Sequence, residues 1–525
     1  MNGAITFIFF SALVPAQTGI TEIKDVLLKP KPRLTPAEFH KPGPYPDRII
    51  LTFAGDPSTT QAVTWRTDTK TAESFVEVSP IDSSAAFSGY GKVVGKKTIR
   101  KVAAKKEILK TDLGEAAYHS ALIDSLQPGR KYLYRVGEGA HFSEWQEFKA
   151  AASGPEPFRF VYFGDAQNAL RDHWSRVIRR AFADAPDARF LLHAGDLINS
   201  ANSDAEWGEW FAAGGWANGM VPSIPVAGNH EWYDTAAVKA AAITPDKEAK
   251  KDPSQPKTKE DLEKEKKEKE LAAARYRGGI SRHWRPQFTL PQNGPPGQEE
   301  LTYYLDYQGV RLVVLNSNEP RRGSVHQGKL DQAQWLEKVL GENPNPWTIV
   351  CFHHPVYSTA GTRDNPELRK IWKPVFDKYK VDLVLQGHDH SYGRSGMAGP
   401  GTAREVERLS VNGTVYVVSV SGPKMYTLNK LPWMASSAQD TQLYQIIQVD
   451  GKTLRYEART AAGNLYDRFE IRKDARGDRR LVEGSVLTSE LQQQQVPSGQ
   501  SWLAVSLIGL AALLVFLPRL RNCRS

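Results

Sequence analysis

Apolar runs of five or six residues recur along the chain after residue 157, each giving way to a polar loop: FRFVYF (158–163), RFLLH (189–193), LVVLN (312–316), WTIVCF (347–352), DLVLQ (382–386) and VYVVSV (415–420). Runs this short and continuous predict strands covered on both faces. Helical spacing over Leu170–Phe182 and Gln332–Leu340 puts helices between some of them, which predicts an α/β layered domain. Strands and turns in QLYQIIQVDGKTLRYEARTAAGNLYDRFEIRK close it near Lys473. From Arg48 to about Ala150 the pattern differs. AVTWRT around Trp65, HSALIDSL from His119 and KYLYRV alternate, with Tyr132, Tyr134 and Val136 on one face. Period two predicts a half-buried antiparallel sheet.

Proline density marks off the N-terminal end. Prolines 30, 32, 36, 42, 44 and 46 are too many for helix or central strand and predict an extended arm over 17–45. Ahead of it, AITFIFFSALV (4–14) is too short to span a bilayer, and Val14-Pro15-Ala16 suits cleavage, so 1–16 reads as an export signal. At the other end Trp502–Leu517 is an apolar run of 16 residues, roughly 24 Å as a helix against a hydrocarbon core of roughly 30 Å. Pro518 and Leu520 extend it, and Arg519, Arg521 and Arg524 place the C-terminus in the cytoplasm with the rest outside. Residues 501–525 are thus expected to be a C-terminal membrane anchor or sorting tail, joined by a linker (474–500) to a domain over 155–473. Export to the periplasm or cell surface follows. A charged insert over 236–275 interrupts that domain. Its Asp246–Glu270 stretch holds nine lysines and nine acidic residues, and Glu260/Lys264, Glu263/Lys267 and Glu265/Lys269 predict a solvated helix.

Composition narrows the chemistry. The chain has 525 residues, 24% charged and 40% hydrophobic, with a net charge of +9. So small a surplus, without a basic stripe and interleaved aromatics, argues against nucleic acid as a partner. With only two cysteines, Cys351 and Cys523, neither a disulfide framework nor a CxxC zinc site is available. A metal must be held by His, Asp, Asn or Glu. Five segments at or just beyond strand ends supply these: GDA (164–166), GDLIN (195–199), GNHE (228–231), FHHP (352–355) and GHDH (387–390). Ligands collect at the carboxyl ends of strands in open α/β sheets, and a preceding glycine permits tight turns and close approach. Any one segment is common by chance. All five in this order are specific.

In these segments the sequence resembles the calcineurin-like metallophosphoesterases, and within them the purple acid phosphatases with an N-terminal β-sandwich, over Pro46 to Lys473. Leu126, Pro128, Gly129 and Tyr132 form an L-x-P-G-x-x-Y turn similar to fibronectin type III sandwiches. The resemblance implies an α/β fold, a two-sheet metallophosphoesterase sandwich flanked by helices, preceded by an all-β immunoglobulin or fibronectin III-like sandwich over 46–150. It also implies two divalent or mixed-valence ions (Fe, Mn or Zn). Asp196 would bridge them, Asp165 and His390 would hold the first, and Asn229, His353 and His388 the second. His230 would contact the phosphate and assist the leaving group, Glu231 would orient that shell, and His354 would lie behind it. Two departures stand out. The family's tyrosine ligand three residues after the bridge is Asn199 here, so no tyrosinate-to-iron violet colour is expected. The histidine that other members place two residues after the first aspartate is Gln167, expected to offer its amide oxygen instead.

The chemistry is coherent by itself. A phosphoester anion repels hydroxide, and two cations about 3.5–4 Å apart neutralise it and supply the hydroxide, given an anionic bridge between them. The resulting expectation is an exported dinuclear phosphomonoesterase, acid phosphatase-like, using hydroxide activated on the metals against a phosphorylated small-molecule or macromolecular substrate. A phosphodiesterase for nucleotides or phospholipid head groups, and a non-catalytic phospho-ligand-binding module, stay open beside it. His193 reads as core, and His283, between Arg282 and Arg285, as core or an anion contact. Trp207, Trp210 and Trp216 read as helix packing, and Asn412 as a turn.

Overall fold

The computed structural model describes residues 34–81, 99–233, 279–318, 325–397 and 413–484. The export signal, the charged insert, Asn412 and the apolar tail lie outside the described residues. Among the described residues no helix is long and apolar enough to cross a membrane.

Two sheets face each other in the layered domain. In one, Val310–Val314, Trp347–Cys351, Leu383–Gln386 and Val415–Val418 pair in parallel and are buried at every position. Their side chains alternate between two cores, as the pleat requires. Leu312, Ile349 and Leu385 face inward toward Phe160, Tyr162 and Ile224 of the second sheet. Val313, Val350 and Val384 face outward against Leu336 of the helix Val325–Gly341, Phe376 of the helix Lys373–Lys378 and Trp372, which joins that helix to Pro366–Ile371. This alternation explains runs that are apolar at nearly every position. The second sheet pairs Phe158–Phe163, Leu191–His193 and Ser223–Pro225 in parallel, extended by antiparallel strands Leu443–Asp450, Thr453–Thr460 and Leu465–Lys473.

Three local features differ from expectation. Pro36–Phe39 is one helical turn within the arm: Pro36 fills a first-turn position that needs no N–H, and Thr35 and Glu38 cap it reciprocally. The helix expected from Leu170 opens with a π-type turn, Leu170–Trp174, and continues as Ser175–Asp184. Arg479–Glu483, expected in the linker, adds a strand to Leu465–Lys473. Its polar look hides a buried arginine, because Arg479 Nη1 donates to the carbonyls of Lys380 and Val381 at 2.7 Å and pairs with Asp382 at 3.1 Å.

The N-terminal sandwich sets Asp47–Thr52, Gln61–Thr67, Glu115–Ile123 and Lys105–Lys110 against Arg100–Ala103, Phe75–Pro80, Lys131–Glu138 and Gln146–Lys149. Tyr132, Tyr134 and Val136 enter its core with Val63, Trp65 and Val76. Tyr132 Oη accepts the Gln127 N–H at 2.7 Å, which ties down the turn before that strand. The sandwich is not a bead on a string. Thr52 pairs with Ser223, so one 11-stranded sheet runs through both domains and the edge of Ser223–Pro225 is covered. Arg48 reaches across to Asp204 at 2.7 Å with both side chains buried, Arg66 adds a contact at 3.3 Å, and His283 Nε2 lies 3.3 Å from the same carboxylate. His283 is therefore part of a buried inter-domain network and not an anion contact.

Candidate active site

All five segments, four of them glycine-led, follow parallel strands, three from one sheet and two from the other, and their loops converge. The backbone there is unusual. Gly195 has φ +92°, and a Cβ on it would lie 2.7 Å from both Gly228 N and His353 Nδ1. Asp196 and His388 hold φ +52° and +73° without being glycine, a left-handed geometry that costs about 1–3 kcal/mol each and persists where the surroundings impose it. At Gly387 a Cβ would overlap Asp165 Oδ1.

The donor set is arranged for cations. His353 Nδ1–H donates to the Ala194 carbonyl at 2.9 Å, which leaves the Nε2 lone pair directed inward. Facing it are Asp196 Oδ2 at 3.2 Å, Asn229 Oδ1 at 3.0 Å and His388 Nδ1 at 3.2 Å. His388 Nδ1 is also 2.9 Å from Asn229 Oδ1. Lone pairs so gathered repel unless a proton or a metal ion lies among them. Electrostatics agree: burial alone would raise the Asp196 carboxyl, yet the His353 charge and hydrogen bond, with His230, hold it well below the usual range. Burial opposes a charge on His353, but Asp196 and Asp165 push its pKa well up. His354 and His388 are kept neutral by burial and then by neighbouring imidazoles.

The second point of convergence lies on the other side of Asp196. His390 Nδ1–H donates to the Lys424 carbonyl at 2.9 Å, and its Nε2 faces Asp165 Oδ2 at 3.1 Å, an oxygen that is buried and has no hydrogen-bond partner. Asp165 Oδ1 accepts the His388 N–H at 2.6 Å. Among the described residues Asp196, His353 and His388 form one group able to hold an ion, and Asp165, Asp196 and His390 another. The residues therefore fit two metals with Asp196 common to both.

Gln167 sits at the first group, turned differently from expectation. Its Nε2 donates to Asp196 Oδ2 at 2.9 Å and lies 3.0 Å from His390 Nε2, while Oε1 is buried without a partner. The amide nitrogen is the donor that two converging acceptors demand; rotating the amide by half a turn presents the oxygen to a cation. Gln167→Ala should weaken the ion between Asp165 and His390 while leaving the other in place, read by metal titration of each site. Metal affinity unchanged from the wild type at both sites in the variant would remove Gln167 from the ligand set.

His230 stands apart from both groups. Its backbone N–H donates to Asp196 Oδ1 at 2.8 Å, its Nδ1–H to the Asn199 carbonyl at 2.5 Å, and its Nε2 is 3.9 Å from Asp196 Oδ2. Asn199 thus contributes its backbone; its side chain reaches only Ser200 Oγ at 3.5 Å. Glu231, expected to orient the shell around His230, lies behind the site. The fully buried carboxylate accepts Gly228 N at 2.6 Å, Asp196 N at 2.9 Å, Leu197 N at 2.8 Å and Ile198 N at 3.4 Å, lacing the Asp196 and Asn229 loops together. His354 packs on His388 with ring centroids 4.2 Å apart and bonds Ser317 Oγ at 2.9 Å. His193 stacks on Phe163 at 5.4 Å in the core, where burial pushes its pKa down to about 3. Trp207 and Trp210 pack the helix Asp204–Gly214, whereas Trp216 is 56% exposed against Phe182.

Two contributors escaped the sequence reading. Ser203 and Glu206 have capping-box spacing, but the Glu206 carboxylate instead accepts Asn199 N at 2.7 Å and Ser200 N at 2.8 Å, fixing the carbonyl that holds His230. Asp389, between His388 and His390, is buried and ties down Thr359 N at 2.7 Å and Arg363 at 3.1 Å. A charged residue inside GHDH was the available signal for Asp389; nothing marked Arg363.

Loops at the strand ends of two facing sheets that bring carboxylates and imidazoles to two adjacent points define the metallophosphoesterases, hydrolases of phosphoric esters. Residues 158–392 match the calcineurin-like phosphoesterase family and 46–150 the purple acid phosphatase N-terminal domain, so a calcineurin-like phosphoesterase domain follows a purple acid phosphatase N-terminal domain in this chain. It is 26% identical over 424 residues to an uncharacterised protein of Mycobacterium tuberculosis, covering 74% of this chain and 70% of that one. The Fe(3+)-Zn(2+) purple acid phosphatase 12 of Arabidopsis thaliana is 25% identical, with 53% of this chain and 52% of that one covered. The probable inactive purple acid phosphatase 24 of the same plant is 23% identical, at 68% and 58%. Among solved structures, a purple acid phosphatase from yellow lupin superposes with a TM-score of 0.60 at 21% identity, over 82% of this chain and 75% of the lupin chain.

Proposed function

We propose that this protein is an exported, membrane-tethered phosphomonoesterase that works with two metal ions, divalent or mixed-valence Fe, Mn or Zn. The observation that carries the reading is the pair of lone-pair clusters sharing Asp196, with His230 beside them and outside both. The ions would supply Lewis-acid neutralisation of the phosphate and hydroxide near neutral pH. The chain's own part is positional. Ala194 and Lys424 carbonyls orient His353 and His390, Glu231 and the glycines hold the loops in register, and Asn199 fixes Nδ1–H of His230 so that its exchangeable proton sits on Nε2. From there it can be delivered to the departing alkoxide.

Metal analysis of the full chain, paired with hydrolysis of one generic monoester and one diester, tests this. Two ions and faster monoester hydrolysis are expected. A faster diester would make it a phosphodiesterase, and metal without hydrolysis would make it the phospho-ligand-binding module that the name of the Arabidopsis 24 relative allows. Export and tethering rest on the terminal segments; membrane fractionation of cells should place the full chain in the membrane fraction and a chain lacking Trp502–Ser525 outside it.

A further inference from the structure

The wall beside His388 and His390 carries two cationic side chains, those of Arg363 and Lys424, to which the reading above assigns no contact with substrate. Arg363 Nη1 donates to the His388 carbonyl at 3.0 Å and to Asp389 Oδ1 at 3.1 Å. Asp389 is fully buried, and its other oxygen accepts Thr359 N at 2.7 Å and Ala360 N at 3.3 Å. The guanidinium is therefore anchored to the same four-residue segment that supplies two metal-facing histidines, yet the side chain remains 39% exposed. Tyr426 completes the wall. Its ring stacks on His390, centroids 4.4 Å apart with planes at 26°, and its N–H donates to the His390 carbonyl at 2.9 Å. Arg363 Cζ lies 4.7 Å from the centre of that ring and Lys424 Nζ 5.5 Å from it. Lys424 is held by the site too, since its carbonyl is the partner of His390 Nδ1–H.

Two positive side chains thus meet at one aromatic ring that leans on a metal-facing histidine. The ring offsets part of their mutual repulsion through its negative face, and an anion between them reverses its sign. A guanidinium presents a planar fork that suits phosphate and carboxylate oxygens, and an ammonium adds a mobile point charge. Arg363 hangs on the carbonyl of His388 and not on its ring, so its contact leaves the metal-facing imidazole uncovered.

We propose that Arg363 and Lys424, presented by Tyr426, form an anion subsite for a second phosphate or carboxylate of the substrate, so that preferred substrates are phosphomonoesters whose alcohol portion itself carries an oxyanion. This rests on the phosphomonoesterase reading above. The test compares phenyl phosphate with 3-carboxyphenyl phosphate, in which a meta carboxylate adds the charge with little change in leaving-group basicity. The metal-loaded full-length wild type should favour the carboxylated ester in kcat/KM, through KM, and the preference should shrink as ionic strength rises. Arg363→Met should lower the ratio of the two kcat/KM values by about tenfold, the usual weight of a charge-assisted hydrogen bond. Lys424→Met, which leaves the backbone partner of His390 in place, should lower it in the same direction. Using a ratio cancels any general loss from a disturbed loop. Hydrolysis with no wild-type preference, or a ratio unchanged in both variants, overturns the subsite alone. Failure of the wild type to hydrolyse either ester overturns the phosphomonoesterase reading with it.

Discussion

Asp196→Ala should lose both metal ions and nearly all hydrolysis together. Asp196 is the one residue common to the two ion-holding groups, with Oδ2 3.2 Å from His353 Nε2 and 2.9 Å from Gln167 Nε2. Removing it leaves two cations adjacent without the anion that reduces their repulsion, so the second ion to bind should be held least. Several kcal/mol of transition-state stabilisation disappear with the pair, on the order of 10³-fold or more in rate. Position 196 is also strained, at φ +52°, and Oδ1 accepts the His230 N–H at 2.8 Å. Asp196→Asn, which keeps shape and acceptor but drops the charge, separates misfolding from lost coordination. It should fold as the wild type does and still fail to bind two ions. Hydrolysis sustained by two bound ions in either variant would end the assignment of Asp196 as bridge.

His230→Ala should retain metal and lose about 10²–10⁴-fold in turnover, the span general-acid work contributes. The side chain belongs to neither ion-holding group, and its Nδ1–H is committed to the Asn199 carbonyl at 2.5 Å, so its remaining nitrogen faces the site. Alkyl phosphates, whose alkoxides are basic, should suffer more than aryl phosphates, whose phenoxides leave without help. An equal loss on both would assign His230 to phosphate binding instead, and metal loss would make it a ligand. Glu206 lies one step back in the same chain of contacts, holding the Asn199 and Ser200 amides at 2.7 and 2.8 Å.

The order of strands and the chemistry at their ends could be read along the chain because both are local. FRFVYF, WTIVCF and VYVVSV are apolar at all but one position each since each strand is packed on two faces, and a glycine before Asp196 or His388 answers a backbone need met within one or two residues. Arg479 shows the limit. It falls in the polar stretch 474–500 that reads as linker, whereas its partners Lys380, Val381 and Asp382 lie nearly 100 positions earlier and only the folded chain brings them to it.

Local pattern and turn chemistry pointed to an α/β layered domain preceded by alternating strands, and to Asp, Asn and His in loops at strand ends, because periodicity and loop composition are properties of neighbouring residues. The folded chain alone decided that the two domains share one sheet through Thr52 and Ser223, with Arg48 bonded to Asp204 156 positions away. It also decided which backbone amides Glu231 braces, that Asn199 acts through its carbonyl, and that Gln167 turns its nitrogen toward His390 across 223 positions. Such outcomes depend on which acceptors and donors converge in space, and the direction of a hydrogen bond between distant residues leaves no periodic trace in the chain.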